Sequence, residues 1–153
     1  MHILEREIIL DTDPDTLWEF LSTPMNLNEL TPPELHFRVL SEVPQEMYNG
    51  LMILYEIQIP LFGKRRWLTE IKHIEAGTFF VDEQRSGPYR LWHHQHHFKE
   101  VPGGVEMTDE VNYAIPMGFL GRLAHFIFVG REVNRIFEHR FKVLEAYFKV
   151  EKK

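Results

Sequence analysis

Residues 105–115 alternate almost perfectly, with Val105, Met107, Asp109, Val111, Tyr113 and Ile115 on one parity and Glu106, Thr108, Glu110, Asn112 and Ala114 on the other. A period of two marks a half-buried strand, so the first set faces a core. Residues 36–41, 51–59, 65–74, 78–84 and 89–98 also carry strand signals, separated by Asn49-Gly50, Pro60…Gly63, Ala76-Gly77, Ser86-Gly87-Pro88 and Pro102-Gly103-Gly104. Those spacings predict a meander. Residues 2–10 alternate more loosely, and Asp13-Pro14 then supplies an N-cap and a first-turn proline for a short helix through Leu17, Trp18, Phe20 and Leu21. A second short helix is expected over 25–30, stopped by Thr31-Pro32-Pro33. After Pro116-Met117-Gly118 the period lengthens, and Leu123, Ile127, Val133, Ile136, Phe137, Phe141, Leu144, Tyr147 and Phe148 recur mostly three and four apart. This predicts an amphipathic helix of some thirty residues, about 45 Å long at ~1.5 Å per residue. The order is α+β: a curved seven-stranded antiparallel sheet, two short helices after its first strand, and a long terminal helix across the apolar face. Gly130 interrupts that helix and marks a bend or a close backbone approach.

The chain of 153 residues suits one domain over 1–153, and scaling laws hide roughly 70% of its surface on folding. Hydrophobic residues make up 44% and charged residues 26%, which excludes disorder and low complexity. Without cysteine there is no disulfide scaffold, thiolate metal site or Cys nucleophile. A formal charge of −6 argues against general nucleic-acid binding. Glu5, Arg6 and Glu7 interrupt the first apolar run, and Arg122 and His125 break the apolar stretch 119–129, which is about half the ~20 residues of a membrane span. The expectation is a cytoplasmic protein without stable membrane insertion; its protein partners, if any, are not legible.

Asp109 is a carboxylate on an apolar face, so it needs a partner, water or its own proton. The preceding strand offers one. Trp92, His94, His96 and Phe98 share a parity, and their aromatic brackets turn it inward; His93 and His97 then face out. If the Pro102-Gly103-Gly104 turn keeps both inward sets on one face, pairing His96 with Asp109 is one register; the other pairs Phe98 with Asp109 and His94 with Tyr113. Trp67 alternates inward with Thr69, Ile71 and His73. No phosphate-binding glycine loop, Gly-x-Ser-x-Gly elbow or His-Glu-x-x-His occurs, so no cofactor is implied.

Several segments extend the picture: Leu27-Asn28-Glu29-Leu30-Thr31-Pro32-Pro33, Phe80-Val81-Asp82-Glu83-Gln84 with Gly87-Pro88-Tyr89, Trp92-His93-His94-Gln95-His96-His97-Phe98, Met107-Thr108-Asp109 and Gly118-Phe119-Leu120-Gly121-Arg122-Leu123. Together with the element order they resemble the helix-grip fold of the START/SRPBCC superfamily, and within it the bacterial ligand-binding SRPBCC group related to polyketide cyclase/dehydratase-like proteins. The resemblance implies a ligand cavity between sheet and helix and no particular reaction; some members of that group are joined to a dehydrogenase-like epimerase domain. It also implies that Asp82 and Gln84, sharing a parity with Phe80, face inward.

Three roles compete for the His/Asp cluster. It is a polar spot orienting a hydrophobic ligand such as a lipid or polyketide, an acid/base pair of His94 or His96 with Asp109 in a cyclase or dehydratase, or a His-x-His metal site with Asp109 or Asp82 as third ligand. The third reading lacks a third histidine, and no metal is assigned. The first is adopted, with Trp67, Asp82, Gln84, Trp92, His94, His96, Asp109 and Tyr113 as lining; catalysis, if any, falls to His94, His96 and Asp109. Phe62, Phe119, Phe126 and Phe128 are placed at the cavity mouth, and Lys64-Arg65-Arg66 at a solvated strand end. A protein-interaction module would instead show a filled interior and a large exposed apolar patch.

Overall fold

The computed structural model describes residues 1–60 and 62–149. Strand β1 (His2–Leu10) leads into helix α1 (Pro14–Leu21), whose first turn is capped by the Asp13 carboxylate accepting from the Thr16 amide at 2.9 Å. A 3₁₀ turn at Pro24–Asn26 runs into the short α2 (Leu27–Leu30). Six strands follow: β2 (Arg38–Val39), β3 (Leu51–Ile59), β4 (Gly63–Glu75), β5 (Phe79–Ser86), β6 (Leu91–Val101) and β7 (Gly104–Ala114). They form a seven-stranded antiparallel sheet ordered β1-β7-β6-β5-β4-β3-β2, so the meander runs outward from β7 and β1 closes its other side. Register shifts between Leu68 and Thr69 and between Lys72 and Glu75 help the long β4 follow the curve.

The strand expected over 36–41 shrinks to Arg38–Val39. His36 is in the left-handed region at φ 44°, ending a 3₁₀ turn, and only the next residues can join the ladder. The terminal helix begins at Gly118 and runs for the expected thirty or so residues, but its pitch changes partway. Helix α3 (Gly118–Ala124) passes through a π-helical turn (His125–Val129) into α4 (Gly130–Phe148). At Gly130 a Cβ would lie 3.1 Å from His125 Cε1, so the glycine marks a close approach to that ring. His125 in turn stacks on His2 at 3.4 Å and meets the Tyr113 hydroxyl at 2.8 Å, tying the π turn to β1 and β7.

Helix α4 presents Val133, Phe137, Arg140, Leu144 and Phe148 to the sheet. Two apolar clusters lie beneath it. One gathers Leu10, Leu17, Phe20, Phe98, Met107, Leu144 and Phe148, the other Leu35, Ile57, Trp67, Trp92, Val111, Val133 and Phe137. Going along β6 from Trp92 to Phe98, or along β7 from Val111 to Met107, one crosses from the second cluster to the first. His94, His96 and Asp109 sit at the crossing.

The β6–β7 turn depends on Gly104, where φ is +140° and a Cβ would lie 1.9 Å from the Leu10 carbonyl oxygen. Gly104→Ala is expected to cost on the order of 1–3 kcal/mol from backbone strain alone, with the clash adding to it. Thermal unfolding checks this, since a shift as small as that of a surface substitution would be inconsistent with the turn described.

Candidate functional site

The register pairs His96 with Asp109, His94 with Val111 and Trp92 with Tyr113, which selects between the two sequence-allowed pairings. All of Val105, Met107, Asp109, Val111 and Tyr113 are buried, Asp109 with 0% exposure. On the neighbouring strand Asp82 pairs with His94. The two imidazoles lie 3.8 Å apart, centroid to centroid, between two carboxylates. His94 reaches Asp82 Oδ2 through Nδ1 at 3.0 Å and Asp109 Oδ1 through Nε2 at 3.0 Å; His96 reaches Asp82 Oδ2 through Nε2 at 2.7 Å and Asp109 Oδ1 through Nδ1 at 2.9 Å. Each ring therefore bridges both acids.

Arg140 closes this box from above. Its Nε lies 3.4 Å from Asp109 Oδ2 and its Nη2 3.4 Å from His96 Nδ1. Sequence reading passes over this residue, although its signal was present: Arg140 interrupts the apolar spacing of Val133, Phe137, Leu144 and Phe148, as Asp109 interrupts that of β7. Two charges that each break a buried stripe are natural partners, because neither could be buried alone.

The electrostatics follow from this arrangement. Burial opposes ionisation of Asp82, but the charges and hydrogen bonds of His94 and His96 outweigh it and hold the carboxyl far below the usual range. Burial opposes ionisation of Asp109 as well, and there the Arg140 guanidinium, then His94, reverses the balance. At His94 burial disfavours the imidazolium, yet the two carboxylates prevail and raise its pKa. At His96 burial and the neighbouring His94 charge together lower it. These directions favour ionised Asp82 and Asp109 and set the two imidazoles apart, His94 toward the imidazolium and His96 toward the neutral ring.

Toward the Trp92 end of this box opens a cavity of about 330 Å³. Its walls are mostly apolar or aromatic, including Ile57, Trp67, Tyr89, Trp92, Ile136 and Phe137, and Asp82, His94 and Arg140 line it too. A smaller void of about 60 Å³ touches Asp82, His96 and Arg140, with Met47 and Phe80 in its wall. Tyr55 borders both spaces; its hydroxyl lies 3.2 Å from Thr69 Oγ1, and burial keeps it neutral. Of the sequence-predicted lining, Trp67, Asp82, Trp92 and His94 thus border the large cavity and His96 the small one. Asp109 and Tyr113 stand behind them, with Tyr113 held by His125. Gln84 pins the adjoining turn instead: its amide nitrogen donates to the Tyr89 carbonyl at 2.7 Å and its amide oxygen accepts from the Tyr89 amide at 3.1 Å. That places the Tyr89 ring in the cavity wall, a consequence of turn geometry that strand parity does not reveal.

Phe62 and Phe128 border the cavity, whereas Phe126 projects outward with 83% exposure, beside exposed Phe119, Leu120, Leu123 and Ile127. Among the described residues no helix is long and apolar enough to cross a membrane.

No family model matches the chain, and no curated protein matches it. Solved structures do. A structural-genomics protein from Chromobacterium violaceum superposes with a TM-score of 0.73 at 14% identity, covering 99% of this chain and 100% of that one. A START superfamily protein from Mycobacterium smegmatis gives 0.71 at 11% identity, with 97% of each chain covered. A nucleoside-diphosphate sugar epimerase from Corynebacterium glutamicum gives 0.67 at 18% identity over 94% of this chain and 28% of that longer one. Identities of 11–18% establish the START-like helix-grip fold and leave the site to be interpreted from its own geometry.

Proposed function

We propose that the chain is a START-like ligand-binding domain that holds one hydrophobic small molecule, of lipid or polyketide type, between the sheet and the terminal helices. The carrying observation is the cavity of about 330 Å³ with apolar walls and one polar end made by Asp82, His94 and Arg140. Apolar walls supply affinity by shedding water, and a few convergent polar groups fix orientation. That end offers both hydrogen-bond donors and acceptors, which suits a hydroxyl or carbonyl oxygen. Tyr55, Trp67, Tyr89 and Trp92 give flat aromatic surfaces for a ring system or chain.

An acid/base enzyme of the cyclase or dehydratase kind is the second reading. One observation favours it and moves the assignment: His94 borders the large cavity, while His96 lies stacked on Phe80 at 4.0 Å and borders only the smaller void. The acid/base residue would then be His94, oriented by Asp82 and Asp109.

Native mass spectrometry of the protein purified from its own host, followed by extraction, tests the binding reading. One retained apolar molecule per chain, bearing an oxygen function, is expected. A chain that carries nothing and takes up no apolar probe would refute it.

A further inference from the structure

The box of two imidazoles and two carboxylates brings together donor atoms whose chemistry reaches beyond an organic ligand. Four short N···O contacts join the rings to the acids, at 3.0, 3.0, 2.7 and 2.9 Å. Two of them are aligned as hydrogen bonds, His94 Nε2 with Asp109 Oδ1 and His96 Nε2 with Asp82 Oδ2, and the other two are contacts only. Two neutral imidazoles supply both hydrogens and keep one lone pair on each ring.

We propose that Asp82 Oδ2, His94 Nδ1 and His96 Nε2 form a binding site for one divalent transition-metal ion, with its remaining coordination position open to the cavity. These three donor atoms converge, all lying within 4.8 Å of one another. The two N···O pairs are 3.0 and 2.7 Å long, whereas ligands at zinc bond lengths in a tetrahedral arrangement stand ~3.3 Å apart, so these pairs open by about 0.3 and about 0.6 Å to admit the ion. The lone pairs of His94 Nδ1 and His96 Nε2 then point at the metal. Both opposite nitrogens then carry their hydrogens toward a single carboxylate oxygen, Asp109 Oδ1, at 3.0 and 2.9 Å.

This is the arrangement by which a buried carboxylate fixes the tautomer and orientation of metal-bound histidines. Asp109 is anchored in turn by Arg140, whose Nε lies 3.4 Å from its Oδ2. The opposite end of the box, at Asp109 Oδ1, offers the same donor types but is unsuitable. Asp109 is fully buried and the Arg140 guanidinium already occupies that side, whereas Asp82 borders both open spaces. Two imidazoles and one carboxylate suit borderline ions such as Zn²⁺ or Fe²⁺ rather than Ca²⁺ or Mg²⁺. The pattern needs no third histidine, because Asp82 on the adjacent strand takes that place.

The test is titration of the chelator-stripped chain with CoCl₂, followed by its visible absorption, and then displacement with ZnCl₂. Uptake of one Co²⁺ per chain, bleached by Zn²⁺, is expected. Asp82→Asn should weaken binding at least about tenfold, and Asp109→Asn, acting as a positioning residue, by about 10–100-fold. Because Asp109→Asn perturbs the buried box, zinc-edge X-ray absorption of the unsubstituted protein gives a reading independent of any variant, and two imidazoles on the ion are expected. Lack of uptake by the folded chain, uptake unchanged in Asp82→Asn, or fewer than two imidazoles would overturn the proposal, the second outcome pointing to outlying histidines such as His73 and His97. Binding of 2-naphthol reports the cavity and Co²⁺ absorption reports the ion, so either assignment can fail alone.

Discussion

Replacing Asp109 with Ala is expected to destabilise the chain by about 3–5 kcal/mol, the range found when one member of a buried charge network is removed. Asp109 has 0% exposure and answers three groups at once: both imidazoles and the Arg140 guanidinium. Its loss strands a buried cation with no water to replace the carboxylate. Removing the whole demand, as in Asp109→Leu with Arg140→Met, should recover much of that loss, so the double substitution costs less than the sum of the two single ones. Urea unfolding followed by tryptophan emission measures all four proteins. A single-substitution cost below ~1 kcal/mol would mean that the network contributes little.

The same network shapes the acid response of the metal-free protein. Asp82 and Asp109 titrate lower folded than unfolded, so their stabilisation is complete above the unfolded value near ~3.9 and is lost as pH falls toward the folded values. His94, raised on folding, adds stability below ~6.5 that disappears as pH climbs through its folded value. His96, lowered on folding, adds stability above ~6.5 that disappears as pH falls through its folded value.

How much of this was legible in the chain differs between elements. Strand β7 was readable in full because its alternation is clean and a strand's faces follow from parity alone. The inward His94 and His96 followed from the same rule, and the tight β6–β7 turn limited the register to two choices. Neither choice revealed that each ring would touch both acids, because that depends on β5 lying on the other side of β6 and bringing Asp82 across from His94. Arg140 was hidden for a related reason: periodicity shows which helix face is buried, but not which sheet residues that face will meet. The π turn was invisible because residues 119–129 are apolar on nearly every side, leaving no 3.6-residue rhythm to break. Tyr89 escaped as well, since a hydrogen-bonded turn rather than a strand sets its direction.

The second large effect is expected from Ile57→Trp. Ile57 lies on β3, is buried, and borders the large cavity. A tryptophan there keeps a residue type that strands favour and directs its extra volume into existing empty space, so the usual overpacking cost of about 1–3 kcal/mol should be small or absent. Binding of 2-naphthol, a two-ring apolar probe with one hydroxyl, should weaken at least about tenfold, which corresponds to ~1.4 kcal/mol of lost contact. Equal affinity in the two proteins, both folded by circular dichroism, would place the probe elsewhere.

Location is measured most directly by intermolecular nuclear Overhauser effects between 2-naphthol and the isotope-labelled chain. If the hollow between sheet and helix is the binding site, the ring protons contact Ile57, Ile136 and Phe137. Contacts confined to Leu123, Phe126 and Ile127 on the outer face, or none at a saturating probe concentration, would contradict it.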